Sequence, residues 1–126
     1  MESGNKPAFD LDERLLDYAA RIIHLTDALP RSRAAGHVAD QLLRSGTSPL
    51  SNHGEAQAAE SPEDFVHKLS VGLKELKESR RWLCLIVKAQ LIKESARVEP
   101  LLVETEELIR IFAVSIRTAR SKRRKK

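Results

Sequence analysis

Residues 41–56 read QLLRSGTSPLSNHGEA, and the direction in which this stretch faces decides the fold. Its most regular stripe is polar. Gln41, Ser45, Ser48, Asn52 and Glu55 recur at steps of four and three, the spacing at which an amphipathic helix ordinarily buries leucines. Serine and glycine carry little bulk, so a helix displaying Ser45, Gly46 and Ser48 lets a neighbouring backbone approach closely. Packed against a long partner, the stripe becomes a polar layer inside a bundle, with Lys68, Glu75 and Glu78 bonding to Gln41, Arg44, Ser48, Asn52 and Glu55; such a layer sets register when every group in it is satisfied. Turned outward, the same stripe is a ligand-facing polar surface.

The segment that contains it runs from about Ser32 to Ala59. Pro49 lacks an N–H and its ring crowds the Ser45 carbonyl, which predicts a kink or short break near Gly46 within one continuous segment. Upstream, residues 10–29 place Leu11, Leu15, Ile22 and Leu29 along one side; Asp10, Asp12 and Glu13 suit the positive end of a helix dipole, and Pro30 ends the segment. Downstream, Ser61-Pro62-Glu63-Asp64 is a helix start: Ser61 caps, Pro62 fits the first position, and Asp64 is placed to bond back to the cap. Phe65, Leu69, Leu76, Leu83 and Ile86 then share one side, predicting a helix to about Lys93. Pro100 opens a fourth helix, with Leu101, Leu108, Phe112 and Ala119 on one stripe and Leu102, Ile109 and Ile116 on its neighbour. An apolar surface that wide fits a helix central to its own bundle and fits equally a second contact with another subunit.

Short connections force neighbouring helices antiparallel. The expected fold is therefore all-α, an up-down-up-down antiparallel four-helix bundle over residues 10–118, with a disordered N-terminus at 1–9 and a basic tail at 119–126. Composition agrees: aromatics are 4% of 126 residues, too few for the strand-rich alternatives. A single cysteine, Cys84, allows no intrachain disulfide and no thiolate metal cluster. The N-terminus has no apolar signal core and no run approaches the roughly 18 apolar residues of a membrane span, so the expected location is the cytoplasm and no membrane contact is expected.

The net charge of +4 is unevenly placed. Residues 117–126, RTARSKRRKK, hold seven of the 22 Lys and Arg and no acid; the rest carries 15 cations against 18 acids, a net of −3. An acidic body with a dense cationic end points to a local polyanion contact through Arg117, Arg120, Lys122, Arg123, Arg124, Lys125 and Lys126. The plain alternative is a solubilising tail.

Catalytic and metal motifs are missing in every class. The nearest approach to the Glu-x-x-His pairs of di-metal bundles is Asp64-Phe65-Val66-His67, with Asp for Glu and no second copy. There is no G-x-S-x-G and no phosphate-binding glycine loop. Glu75 and Glu78 read as structural pairs of nearby Lys74, Arg80 and Arg81. No enzyme activity, cofactor or metal is expected.

Taken together, Gln41, Arg44, Ser48, Asn52 and Glu55, followed by Ser61, Phe65, Lys68, Glu75, Glu78 and Trp82 within ESPEDFVHKLSVGLKELKESRRWL at 60–83, resemble a bacterial four-helix-bundle family, the proteins encoded in 23S ribosomal RNA intervening sequences. The resemblance covers roughly residues 9–118. It implies an up-down-up-down bundle that assembles into a homopentameric ring without known enzymatic activity. A related branch, the accessory variability proteins of diversity-generating retroelements, is similar in fold; resemblance to it implies nucleic-acid binding through basic surfaces and a reverse transcriptase as partner. The chain departs from the intervening-sequence type at Pro49 and at His53-Gly54, where an Ile-Ala pair is usual.

In a cyclic pentamer all C-termini leave from one rim, so five tails of seven cations would gather 35 charges on one face. If each tail neutralises about five phosphates, log affinity falls against log salt with a slope of about −4 to −5 per engaged tail. Aromatic residues are nearly absent from the basic region, so the expected binding is largely independent of sequence, to RNA or DNA alike. The alternative function is a protein–protein adaptor whose polar stripe or fourth helix holds a partner.

Overall fold

A computed structural model describes residues 10–124, with side chains to Lys122. Residues 1–9, Lys125 and Lys126, for which a disordered terminus and two phosphate contacts were expected, lie outside the described residues. Four helices make up the rest: α1 (Leu11–Ala28), α2 (Arg33–Gln57), α3 (Pro62–Lys88) and α4 (Glu99–Arg124), the last preceded by a short 3₁₀ turn at Ser95–Arg97.

Each of the first three helices starts on a polar side chain that satisfies an end N–H. Asp10 accepts from Glu13 N at 3.4 Å, Ser32 from Ala35 N at 3.1 Å, and Ser61 from Asp64 N at 3.0 Å. Pro62 occupies the first turn of α3 as expected. The bond goes one way only, since the Asp64 carboxylate returns none to the cap.

Helix α2 runs unbroken through Pro49, so of the expected kink or short break no break forms. Pro49 is buried, and its ring fills core space in exchange for one lost N–H. The neighbouring hydroxyls bond to their own helix, Thr47 Oγ1 to the Leu43 carbonyl and Ser48 Oγ to the Arg44 carbonyl, both at 2.7 Å. Helix α3 stops at Lys88, short of the predicted Lys93. At the other end of the molecule α4 continues as helix to Arg124, so the described part of the basic tail expected at 119–126 is helical. Arg and Lys are good helix formers, and cations are favoured at a helix C-terminus, so nothing in that segment stops the helix.

Cross-helix pairs fix the topology. Asp12 meets His53 and Ile22 meets Gly46, Glu55 meets Lys68 and Arg44 meets Glu78, Phe112 meets Gly72 and Glu106 meets Arg80. In each set one number rises as the other falls, so α1/α2, α2/α3 and α3/α4 are antiparallel neighbours in an up-down-up-down order. Leu15, Ile22, Leu42, Leu76, Leu83 and Phe112 are among the fully buried side chains at the centre. No helix is long and apolar enough, among the described residues, to cross a membrane.

Candidate nucleic-acid interface and the buried polar layer

The stripe at 41–55 is divided between centre and rim. Ser45 is completely buried, and Ser79 of α3 donates to its hydroxyl at 2.8 Å; Ser45 in turn donates to the Leu42 carbonyl at 3.4 Å. Arg44 lies at the rim of the α2/α3 seam, where it holds Glu75 at 3.0 Å and Glu78 at 2.5 Å. Glu55 and Lys68 meet at 3.6 Å, also at the rim. Asn52 is half-buried, with its Oδ1 enclosed and without a hydrogen-bond partner. Gln41 is half-buried, and Ser48 bonds only to its own helix. Of the expected layer, Arg44 with Glu75 and Glu78 and Glu55 with Lys68 come together, but at the rim; among the described residues Gln41, Ser48 and Asn52 make no bond to α3, and the buried polar contact is the Ser45–Ser79 pair instead.

The clamp at Arg44 is electrostatically tuned. The Trp82 indole N–H donates to Glu78 at 3.1 Å, and this bond, followed by those from Arg44, holds the Glu78 carboxyl below the usual carboxylate range. The Glu78 bond is likewise the largest cause raising the Arg44 guanidinium above its ordinary value.

Three buried or half-buried contacts were not anticipated. Tyr18 of α1 and Thr105 of α4, both fully buried, share a 2.7 Å hydroxyl bond; Thr105 passes its own proton to the Leu101 carbonyl at 2.7 Å, which makes Tyr18 the donor. Arg14 grips Glu104 in a fork, Nε at 3.0 Å and Nη2 at 2.7 Å. His53 lies buried between Asp12 at 3.1 Å and Gln57 at 3.0 Å, its ring tilted over Phe112. Tyr18–Thr105 and Arg14–Glu104 join residues about 90 positions apart, which no local spacing reveals. Burial pushes the Tyr18 phenol up to about 12.

At the basic end, Arg117, Arg120 and Lys122 are exposed. No acidic residue follows Glu107, so the last two-thirds of α4 carry cations only. At 100° per residue, Arg117 and Arg120 fall on one side of the helix and Lys122 on the opposite side. Arg110, two turns before Arg117 on that same side and paired with Glu107 at 2.5 Å, extends the stripe and was not anticipated. Arg117 and Arg120 also line an open groove between α3 and α4, together with Ser70, Leu73, Ala113 and Ile116. Among the described residues no three His, Cys, Asp or Glu side chains converge as a metal site would require.

Comparison with known proteins bears on this architecture. A crystal structure of a Bacteroides thetaiotaomicron protein of unknown function from the S23 ribosomal protein family superposes with a TM-score of 0.78 at 31% identity, covering 83% of this chain and 96% of the other. No curated protein matches the chain. The family model for the 23S rRNA-intervening sequence protein matches residues 10–113, from the Asp10 cap past the Phe112 core position. The chain is therefore a member of the 23S rRNA-intervening sequence protein family.

Proposed function

We propose that this protein is a non-catalytic homo-oligomeric bundle that binds nucleic acid, largely without sequence preference, through the basic end of α4. The observation that carries this reading is the acid-free run from Leu108 onward, with Arg117, Arg120 and Lys122 all solvent-exposed. Phosphate contacts of this kind position a polyanion without reading its bases.

Helical geometry changes the expected magnitude. Cations spread around a helix cannot all touch one backbone, and Arg117 and Arg120 share a side. Two phosphates neutralised give a salt slope of about −2 per subunit, shallower than a free tail would give. A fluorescence-anisotropy titration at two salt concentrations tests this, using wild type and the triple substitution Arg117→Gln, Arg120→Gln, Lys122→Gln. Wild type should show the slope, and the variant should lose at least about tenfold in affinity at low salt with a slope shallower by about two. Equal binding by both proteins, or none by wild type, would refute the reading.

Self-association is supported by large apolar side chains left facing outward: Leu16 at 54% and Ile23 at 43% exposure on α1, and Val103 at 62% and Val114 at 43% on α4. A ring would gather the α4 ends on one rim and multiply weak contacts. Light scattering should give a mass several times that of one chain, five times for the pentamer that the resemblance implies.

An adaptor role is the second reading. The observation in its favour is an open groove of about 990 Å³ on α3, lined by Trp82, Cys84, Leu85 and Leu102 and rimmed by Arg81 and Lys88.

A further inference from the structure

We infer that the groove between α3 and α4 at the basic end is a seat for single-stranded nucleic acid, holding one nucleotide's base on its floor and the flanking phosphates on its rims. This inference deepens the proposed function and rests on it. The groove has a volume of about 570 Å³, within the range of about 300–1,000 Å³ typical of small-molecule sites. Its floor is apolar, made by Leu73 of α3 with Ala113 and Ile116 of α4, while Arg117 and Arg120 stand on one rim and Ser70 offers a hydroxyl on the other.

The surroundings select for a polyanion. Residues 65–74 of α3 and 108–122 of α4, which together form this stretch of the seam, contain no Asp or Glu. At the far end of the seam Glu106 pairs with Arg80 at 3.2 Å and Glu107 with Arg110, and at the near end Glu63 and Asp64 open α3. The positive track lies between these two sets of acids.

Width selects the single strand. Packed helix axes lie about 8–10 Å apart, so a ligand that touches the floor and both rims must fit between two helices. A duplex keeps its bases paired and stacked inside and offers only its phosphate backbone, so it can reach only the outer cations. A single strand can lie in the groove, place a base face on Leu73, Ala113 and Ile116, and stack it under the planar guanidinium of Arg117 or Arg120; arginine supplies here the flat partner that aromatic side chains supply elsewhere.

The test is fluorescence anisotropy of the full-length protein with fluorescein-labelled 12-mers, oligo-dT and oligo-U as single strands and a 12-base-pair duplex as competitor class. Wild type should bind the single strands about tenfold more tightly than the duplex, as expected for one stacked base. Ser70→Leu and Ala113→Leu each fill the groove without altering charge; either should bring that preference below about threefold while duplex affinity and its salt slope stay as in wild type. Arg117→Gln with Arg120→Gln, both exposed and free of core packing, should weaken single strands and duplex together. Equal affinity of wild type for both ligands, or a preference untouched by Ser70→Leu and Ala113→Leu in variants whose helical circular dichroism matches wild type, overturns the groove and leaves the proposed function standing. Absence of binding to all three ligands overturns both.

Discussion

Gly46 leaves no room for a side chain where α2 packs against α1. A Cβ built there would lie 2.7 Å from Cγ1 and 2.8 Å from Cγ2 of Ile22, a side chain with no exposure and so no room to retreat. Gly46→Ala should therefore destabilise the fold by about 1–3 kcal/mol, the usual cost of overpacking. In an Ile22→Ala background the added methyl meets a cavity, so the same substitution should cost almost nothing or stabilise. Urea unfolding of the two single variants and the double variant measures the coupling, and additive effects would show that the contact is not the cause. The small-residue run at 45–48 announces close approach in the sequence, but the adjacent small residues serve different helices: Ser45 faces Ser79 of α3 while Gly46 faces Ile22 of α1. Spacing alone favours one partner for the whole run; a helix with two neighbours presents successive residues, 100° apart, to each in turn.

Helix ends show which parts of an element are legible. Ser61-Pro62 is readable because capping is local chemistry. The end of α3 is not, because its stop signal sits on a residue that gives none. Gln90 adopts φ 55°, with Gln90 N–H bonded to the Val87 carbonyl at 3.1 Å and Leu91 N–H to the Ile86 carbonyl at 3.0 Å, a Schellman closure that glycine ordinarily provides. Gln90→Gly should stabilise by about 1 kcal/mol, read as a higher urea midpoint at unchanged slope. The pairing of α2 with α3 was legible in part, since Arg44, Glu75 and Glu78 are the long charged residues beside the polar stripe. Its pH dependence follows from Glu78, whose folded pKa is lowered first by Trp82 and then by Arg44. Such a group contributes stability that is fully present above the unfolded carboxylate value of about 4.3 and is lost as pH falls through the lower folded value. Glu78→Gln should reduce stability near pH 7 by about 0.5–1 kcal/mol, a half-exposed pair being worth no more, and should flatten the acid limb of the stability curve. An acid limb identical to wild type would show that Glu78 does not carry it. The basic end was legible in composition but not in conformation: charge density suggests a tail, yet helix propensity and the dipole carry α4 to Arg124.

Across the whole molecule, each helix contributes one fully buried hydroxyl: Tyr18 from α1, Ser45 from α2, Ser79 from α3 and Thr105 from α4. Two short bonds, Tyr18–Thr105 at 2.7 Å and Ser79–Ser45 at 2.8 Å, tie α1 to α4 and α2 to α3. Apolar contacts tolerate sliding, whereas a buried hydroxyl displaced from its partner costs about 1–3 kcal/mol, so these four groups oppose any change of register between the helices. That fixed register holds Arg117 and Arg120 over the α3/α4 groove. The protein's one tyrosine makes the network directly measurable. Absorbance titration should place Tyr18 at about 12, against an ordinary value of about 10. Because the folded value is the higher, the associated stability is fully present below pH of about 10 and is lost as pH rises through about 12. Thr105→Val removes the main acceptor of a buried phenol and should cost about 1–3 kcal/mol. Adding Tyr18→Phe removes the stranded donor as well, so the double variant should be less destabilised than the sum of the two single variants. Simple additivity in that cycle would mean that the hydroxyls fill space without acting as a lock between the first and last helices.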